Sequence, residues 1–127
     1  MGEWFRAGGW GMYPIVVAGV VSLVVAVRAL RTPTPGRIAA LRNLPTVIVT
    51  LALMTFGTNL WAVATHLSDD AFVKARGWSG DQIPVIGFVD LGESAQALTL
   101  GGLLAFFVVL LRMFAEVKLA RAAGKAA

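Results

Sequence analysis

The sequence contains no cysteine and only one histidine. Without thiols the chain has no disulfides, no thiolate metal site and no cysteine nucleophile. Nothing in it resembles a catalytic triad, a phosphate-binding loop, a paired-carboxylate site or a zinc cluster, so we expect no enzyme activity, no metal site and no cofactor. The single histidine, His66, ends an apolar run, and we interpret it as an interfacial residue and not as a haem or pigment ligand.

Charged residues are also scarce, at 14% of the 127 residues against 57% hydrophobic residues. Residues 44–66, LPTVIVTLALMTFGTNLWAVATH, contain no Asp, Glu, Lys or Arg. Their length matches the roughly 20 apolar helical residues that cross a bilayer. Two more apolar stretches of this length lie at about 13–30 and 91–113. The sequence therefore predicts an all-α polytopic membrane protein with three transmembrane helices surrounded by lipid.

The three spans and their connectors occupy nearly all of the chain, which predicts a single membrane domain over residues 1–127. Residues 1–11 are rich in aromatic residues and glycine, and they predict a short interfacial helix. Residues 67–90 form the longest connector. Within it, SDDAFVKARG predicts a helix capped by Ser68, and the apolar IPVIGFV predicts a segment that rests on the membrane surface or folds back into it. Residues 114–127 are a tail.

The basic residues are distributed unequally between the two sides of the predicted spans. Eight of the eleven lie in the first connector or near the C-terminus: Arg28, Arg31, Arg37, Arg42, Arg112, Lys118, Arg121 and Lys125. The other three are Arg6, Lys74 and Arg76. Positive residues favour the cytoplasmic side, so the sequence predicts an outer N-terminus and a cytoplasmic C-terminus. The net charge is +4. Because the basic residues lie at the ends of the spans, we do not interpret this charge as nucleic-acid binding and expect no nucleic-acid partner.

Small residues recur at helical spacing on the first and third spans. They are Ala18, Ser22 and Ala26, and then Ser94, Ala97, Gly101 and Ala105. Such faces allow helix backbones to approach closely. These seven residues are predicted to pack helices together, and since a three-helix unit has little interior, we expect them to face other subunits.

Polar residues cluster in the second and third spans. Thr55, Thr58 and Asn59 share one side of the second span, while Gln96 and Thr99 lie together on the third. They either line a hydrated path or bond between helices, and the sequence leaves both open. Glu93 is the only acidic residue inside a predicted span. It is either part of an ion path or an interfacial charge in the first helical turn.

Three short motifs resemble the MotA/TolQ/ExbB proton-channel family. In that family, a Gly-rich aromatic run leads to a proline near the start of the first span, and an arginine closes the span. The corresponding residues here are Gly8, Gly9, Trp10, Pro14 and Arg28. Gly57 and Thr58 match its Gly-Thr pair. In ESAQALTLGGLLAFF, Thr99 falls on the family's third-span threonine, followed by Gly102 and Leu103. The chain lacks the family's large cytoplasmic region, and its Glu93 is displaced by one residue from the family's acid.

The resemblance implies a ring of identical subunits, most commonly a pentamer, in the bacterial inner membrane. Such a ring encloses single-span partner subunits that each carry a membrane aspartate, and the ring's two threonines line the proton route. On this basis we predict six path-lining residues: Thr55, Thr58, Asn59, Glu93, Gln96 and Thr99. The function implied is that of a ring-forming subunit of an ion channel or motor driven by the proton-motive force. The alternative is a non-conducting structural or accessory subunit of a larger membrane complex.

Overall fold

The computed structural model describes residues 9–126, and this part of the chain is helical without strands. Its helices are α1 (Met12–Arg31), α2 (Pro35–Ala40), α3 (Leu44–Ser68), α4 (Asp70–Ala75) and α5 (Ile83–Ala126). Helices α1, α3 and α5 are each long and apolar enough to cross a membrane. The prediction of an all-α polytopic protein with three transmembrane helices is therefore confirmed. The predicted interfacial helix falls mainly on residues 1–8, which lie outside the described residues.

The three long helices form a bundle in which α1 and α5 are parallel and α3 is antiparallel to both. Close contacts show the pairing: Gly19 lies against Leu104, Gly101 against Ala52, and Gly87 against Leu67. At the far end of the bundle, Lys118 Nζ on α5 donates to the carbonyl oxygens of Leu30 at 3.1 Å and of Arg31 at 3.2 Å. These carbonyls lack helical partners at the C-terminus of α1, so the lysine stabilises that helix end. The contact between α3 and α5 is the most extensive.

The core is narrow and most apolar side chains point away from it. Its largest fully buried side chains include Met12, Ile15, Ile48 and Val108. Only 17% to 28% of each spanning stretch is buried inside the protomer. The rest of this apolar surface is stabilised only by lipid or by other subunits.

The connector helices begin where side chains cap them. Thr34 accepts from the backbone N–H of Arg37 at 3.3 Å, and Pro35 occupies the first turn of α2. Asp69 caps α4 by accepting from Ala71 N at 3.0 Å. The predicted cap at Ser68 is thus wrong, because Ser68 is the last residue of α3 and its hydroxyl donates to Ala64 O at 2.7 Å.

Helix α5 begins at Ile83, before the predicted span 91–113. The segment IPVIGFV forms its first turns, so residues 83–89 are continuous with the third spanning helix. Pro84 does not prevent this, since proline is tolerated in the first turn of a helix. With 44 residues, α5 is about 66 Å long. That exceeds the roughly 30 Å hydrocarbon core, so α5 extends beyond the membrane.

Candidate functional site

The polar residues of α3 and α5 lie at one depth in the bundle, and we name them the polar zone. The polar zone comprises Thr55, Thr58 and Asn59 on α3 and Glu93, Ser94, Gln96 and Thr99 on α5. The contacts of Ala52 with Gly101 and of Leu67 with Gly87 set the antiparallel alignment on either side of it. Because both helices rise equally per residue, residues 55–59 lie level with about 95–99. Five of the six predicted path-lining residues therefore fall within one layer of the protein, and Glu93 lies two residues beyond it on α5.

Two members of the polar zone face the start of α1. Thr55 is buried, at 8% exposure, beneath Gly11, where an added Cβ would lie only 2.7 Å from Thr55 Cβ. Asn59 is half-buried beside Gly9. Thr55 and Asn59 are thus placed between α1 and α3, where they contribute to the inner packing of the protomer.

Thr58 and Thr99 are exposed on the protomer surface. The Thr58 hydroxyl donates to the carbonyl oxygens of Met54 and Thr55, both at 3.0 Å. The Thr99 hydroxyl donates to Ala95 O at 3.3 Å. Such bonds satisfy the proton of each hydroxyl within its own helix. The oxygen lone pairs remain available as acceptors for water or for another subunit.

Gln96 and Glu93 each carry a polar group in the polar zone that lacks a partner among residues 9–126. The Gln96 Oε1 atom is buried and has no hydrogen-bond partner among residues 9–126. An unsatisfied buried polar atom costs about 1–3 kcal/mol. Glu93 is half-buried and makes no ion pair with any of residues 9–126. No group of acidic residues and histidine in that range is arranged to hold a metal ion.

The small residues predicted to pack helices lie inside the protomer. Six are buried, namely Ser22, Ala26, Ser94, Ala97, Gly101 and Ala105, and Ala18 is half-buried. On α5 they share the face that meets α3, where Gly101 lies against Ala52. The Ser94 hydroxyl donates to Asp90 O at 2.8 Å. These residues build the three-helix unit itself, in place of the contacts with other subunits that we expected.

Some close contacts were not identified from the sequence. Gly11 and Gly19 both lie where a Cβ would collide with a neighbouring helix. In the sequence, Gly19 appears only as a glycine within a helix-forming stretch, and Gly11 as the last glycine before α1. By contrast, Gly57 and Gly102 are exposed, and an added Cβ would meet nothing within 4 Å. These two glycines are not required by packing within the protomer.

A second cluster lies at the C-terminal end of α3. The His66 ring stacks on Phe72 with 4.6 Å between centroids. The Arg76 guanidinium lies 5.2 Å from the Phe72 centroid and 5.8 Å from that of Trp78. Cation–π contacts of this kind stabilise a surface loop by about 0.5–1 kcal/mol. His66 therefore helps to order the connector around α4.

In comparisons with protein-family models, with curated proteins and with solved structures, nothing matches this chain. The MotA/TolQ/ExbB resemblance therefore remains a prediction from the sequence motifs.

Proposed function

We propose that the chain is a ring-forming subunit of an ion channel or motor complex driven by the proton-motive force. The observation that carries this proposal is the polar zone, in which exposed Thr58 and Thr99 lie at one depth on two spans. A single protomer in lipid would turn these groups towards hydrocarbon. A ring of protomers that turned them inward would surround them with water.

The chemistry of the polar zone suits an aqueous path. Threonine hydroxyls that donate to their own helices still present oxygen lone pairs, which accept hydrogen bonds from water. The Glu93 carboxylate, unpaired within residues 9–126, would attract cations to the path. Thr58 and Thr99 would order the water, while proton transfer itself would use the membrane aspartate of a single-span partner.

The proposed setting is the bacterial inner membrane, with the N-terminus outside and the C-terminus in the cytoplasm. The excess of basic residues in the first connector and in the C-terminal region supports this orientation. A pentameric ring around a single-span partner follows from the family resemblance. The narrow core supports association, since at most 28% of any spanning stretch is buried in the protomer.

Replacing either threonine tests the proposal. We expect Thr58→Val and Thr99→Val each to lower proton flux about tenfold, equivalent to about 1.4 kcal/mol on the barrier, because valine keeps the shape but removes the hydroxyl. Flux is measured with a pH-sensitive dye in vesicles that contain the chain and its partner. Thr46→Val is the matched control, since Thr46 is an exposed threonine on α3 outside the polar zone. Wild-type flux in both polar-zone variants, with assembly intact, would refute the conducting role.

A structural or accessory subunit is the second candidate. It is favoured by the hydrogen bonds of Thr58 and Thr99 to their own helices, since such hydroxyls need no water to be stable in a bilayer. Native mass spectrometry of gently extracted membranes separates the two. A closed ring of identical copies with a small single-span protein supports the channel or motor. A fixed small number of copies bound to larger proteins supports the accessory role.

A further inference from the structure

A groove of about 560 Å³ runs between α2 and the C-terminal part of α5. Its floor is apolar and includes Ile38, Ala39 and Leu119, and its charged residues are Arg42, Arg112 and Glu116. Ile38 is buried, while Ala39 remains exposed along the groove. The groove thus combines an extended apolar surface with guanidinium groups.

The cations in this groove are incompletely paired. Arg112 Nε donates to Glu116 Oε1 at 2.7 Å, which leaves the two Nη groups without a partner among residues 9–126. The Arg42 side chain is exposed and makes no hydrogen bond or ion pair within the same range. By comparison, Arg37 donates from Nη1 to Thr32 O at 3.1 Å. Arg42 and the Nη groups of Arg112 are therefore free to hold an anion.

The groove lies close to one membrane boundary. Lys118 on α5 reaches the last carbonyls of α1, a spanning helix that ends at Arg31. The segments around this end, residues 28–42 and 112–125, hold eight basic residues, and Glu116 is the only acid among them. Guanidinium groups without partners in a positively charged surface at this depth are complementary to an anionic lipid headgroup.

We propose that the groove binds an anionic glycerophospholipid. The phosphate would accept hydrogen bonds from Arg42 and from the Nη groups of Arg112. The acyl chains would extend from there towards the spanning parts of α3 and α5, since Leu119 lies further along α5 from the span than Arg112 does. Arginine suits this role because its planar guanidinium forms paired hydrogen bonds with phosphate oxygens. A free phosphate would contact the guanidinium groups alone. This site is independent of the proposed channel or motor function.

The test uses the full chain in a mild detergent, titrated with phosphatidylglycerol or with phosphatidylcholine of the same acyl chains. Native mass spectrometry counts the bound lipid. We expect phosphatidylglycerol to bind more tightly, and Arg42→Ala to weaken its binding about fivefold, the effect expected for one basic residue at a membrane surface. Arg121→Ala is the matched control, because Arg121 has the same charge, lies on α5 and does not line the groove. Arg121→Ala should bind as the wild type does.

Glu116→Gln gives a change of opposite sign. It removes the acid beside Arg112 and should strengthen phosphatidylglycerol binding, which loss of folding would not do. The proposal is overturned if the two lipids bind equally. It is also overturned if Arg42→Ala and Arg121→Ala weaken binding to the same extent, since that would indicate diffuse surface charge. Displacement of the lipid by equimolar glycerol phosphate would show a site for the headgroup alone and would also overturn it.

Discussion

The variant Gly101→Leu is expected to destabilise the protein by about 3 kcal/mol, in the range of overpacked cores. A Cβ at this position would lie far closer to Ala52 Cβ than any side-chain contact allows, and 3.5 Å from the carbonyl oxygen of Ile48. Ala52 cannot rotate away, because its only side-chain atom is fixed to the backbone. Helices α3 and α5 must therefore separate along the most extensive contact of the bundle.

The measurement is the equilibrium unfolding of the protein in a mild detergent as sodium dodecyl sulfate is added, followed by tryptophan fluorescence. The adjacent Gly102→Ala is the matched control. Gly102 is exposed, with nothing within 4 Å of an added Cβ, and alanine is favoured over glycine in helices by about 1 kcal/mol. We therefore expect the control to be unchanged or slightly more stable. Equal stability of Gly101→Leu and wild type would contradict the observed packing of α3 on α5.

The second large effect is expected for Gly11→Val, at about 2 kcal/mol. An added Cβ at Gly11 would collide with the Thr55 side chain, lying 2.7 Å from its Cβ. Thr55 is buried and, being β-branched, has few rotamers in a helix. The start of α1 must therefore move away from α3. The same unfolding experiment measures this loss.

A double-mutant cycle makes the Gly11 prediction specific. Gly11→Ala and Thr55→Ala are measured singly and together, since the interaction energy of residues in contact appears as non-additivity. Thr55→Ala removes the hydroxyl and methyl groups that a new Cβ would strike, so the double variant should recover part of the stability lost by Gly11→Ala. Purely additive effects would show that the two positions are not in contact. Gly19→Ala should cost less than Gly11→Ala, because the group it meets is the end of the flexible Leu104 side chain.

The fold was largely predictable from local features of the sequence. The charge-free run 44–66 became α3, and α1 ends at Arg31, two residues before Pro33, which cannot continue a helix. The errors concern helix ends. Ser68 extends α3 where we expected a cap, and α5 begins at Ile83, eight residues before the predicted start of the third span. Helix ends depend on how neighbouring turns compete for the same backbone groups. The start of α5 also depends on tertiary packing, because Gly87 lies against Leu67 of α3, and no local sequence pattern reveals this contact.

The candidate site was predictable as a set of residues but not as an arrangement. Thr55 and Thr58 are three residues apart on one helix, yet Thr55 is buried against Gly11 while Thr58 is exposed. The seven small residues were recognised by their spacing, but their partners were not, and they pack inside the protomer.

The sequence by itself determined that the chain has three spanning helices, because length, apolar composition and the absence of charge are local properties. Only the tertiary structure decided which side of each helix faces inward. In a soluble protein the polar face of a helix would reveal this, but α3 and α5 are apolar on nearly every side, so their sequence carries little periodicity. The choice depends on close contacts such as Gly101 with Ala52 and Gly11 with Thr55, where the absence of a side chain on one helix admits its neighbour.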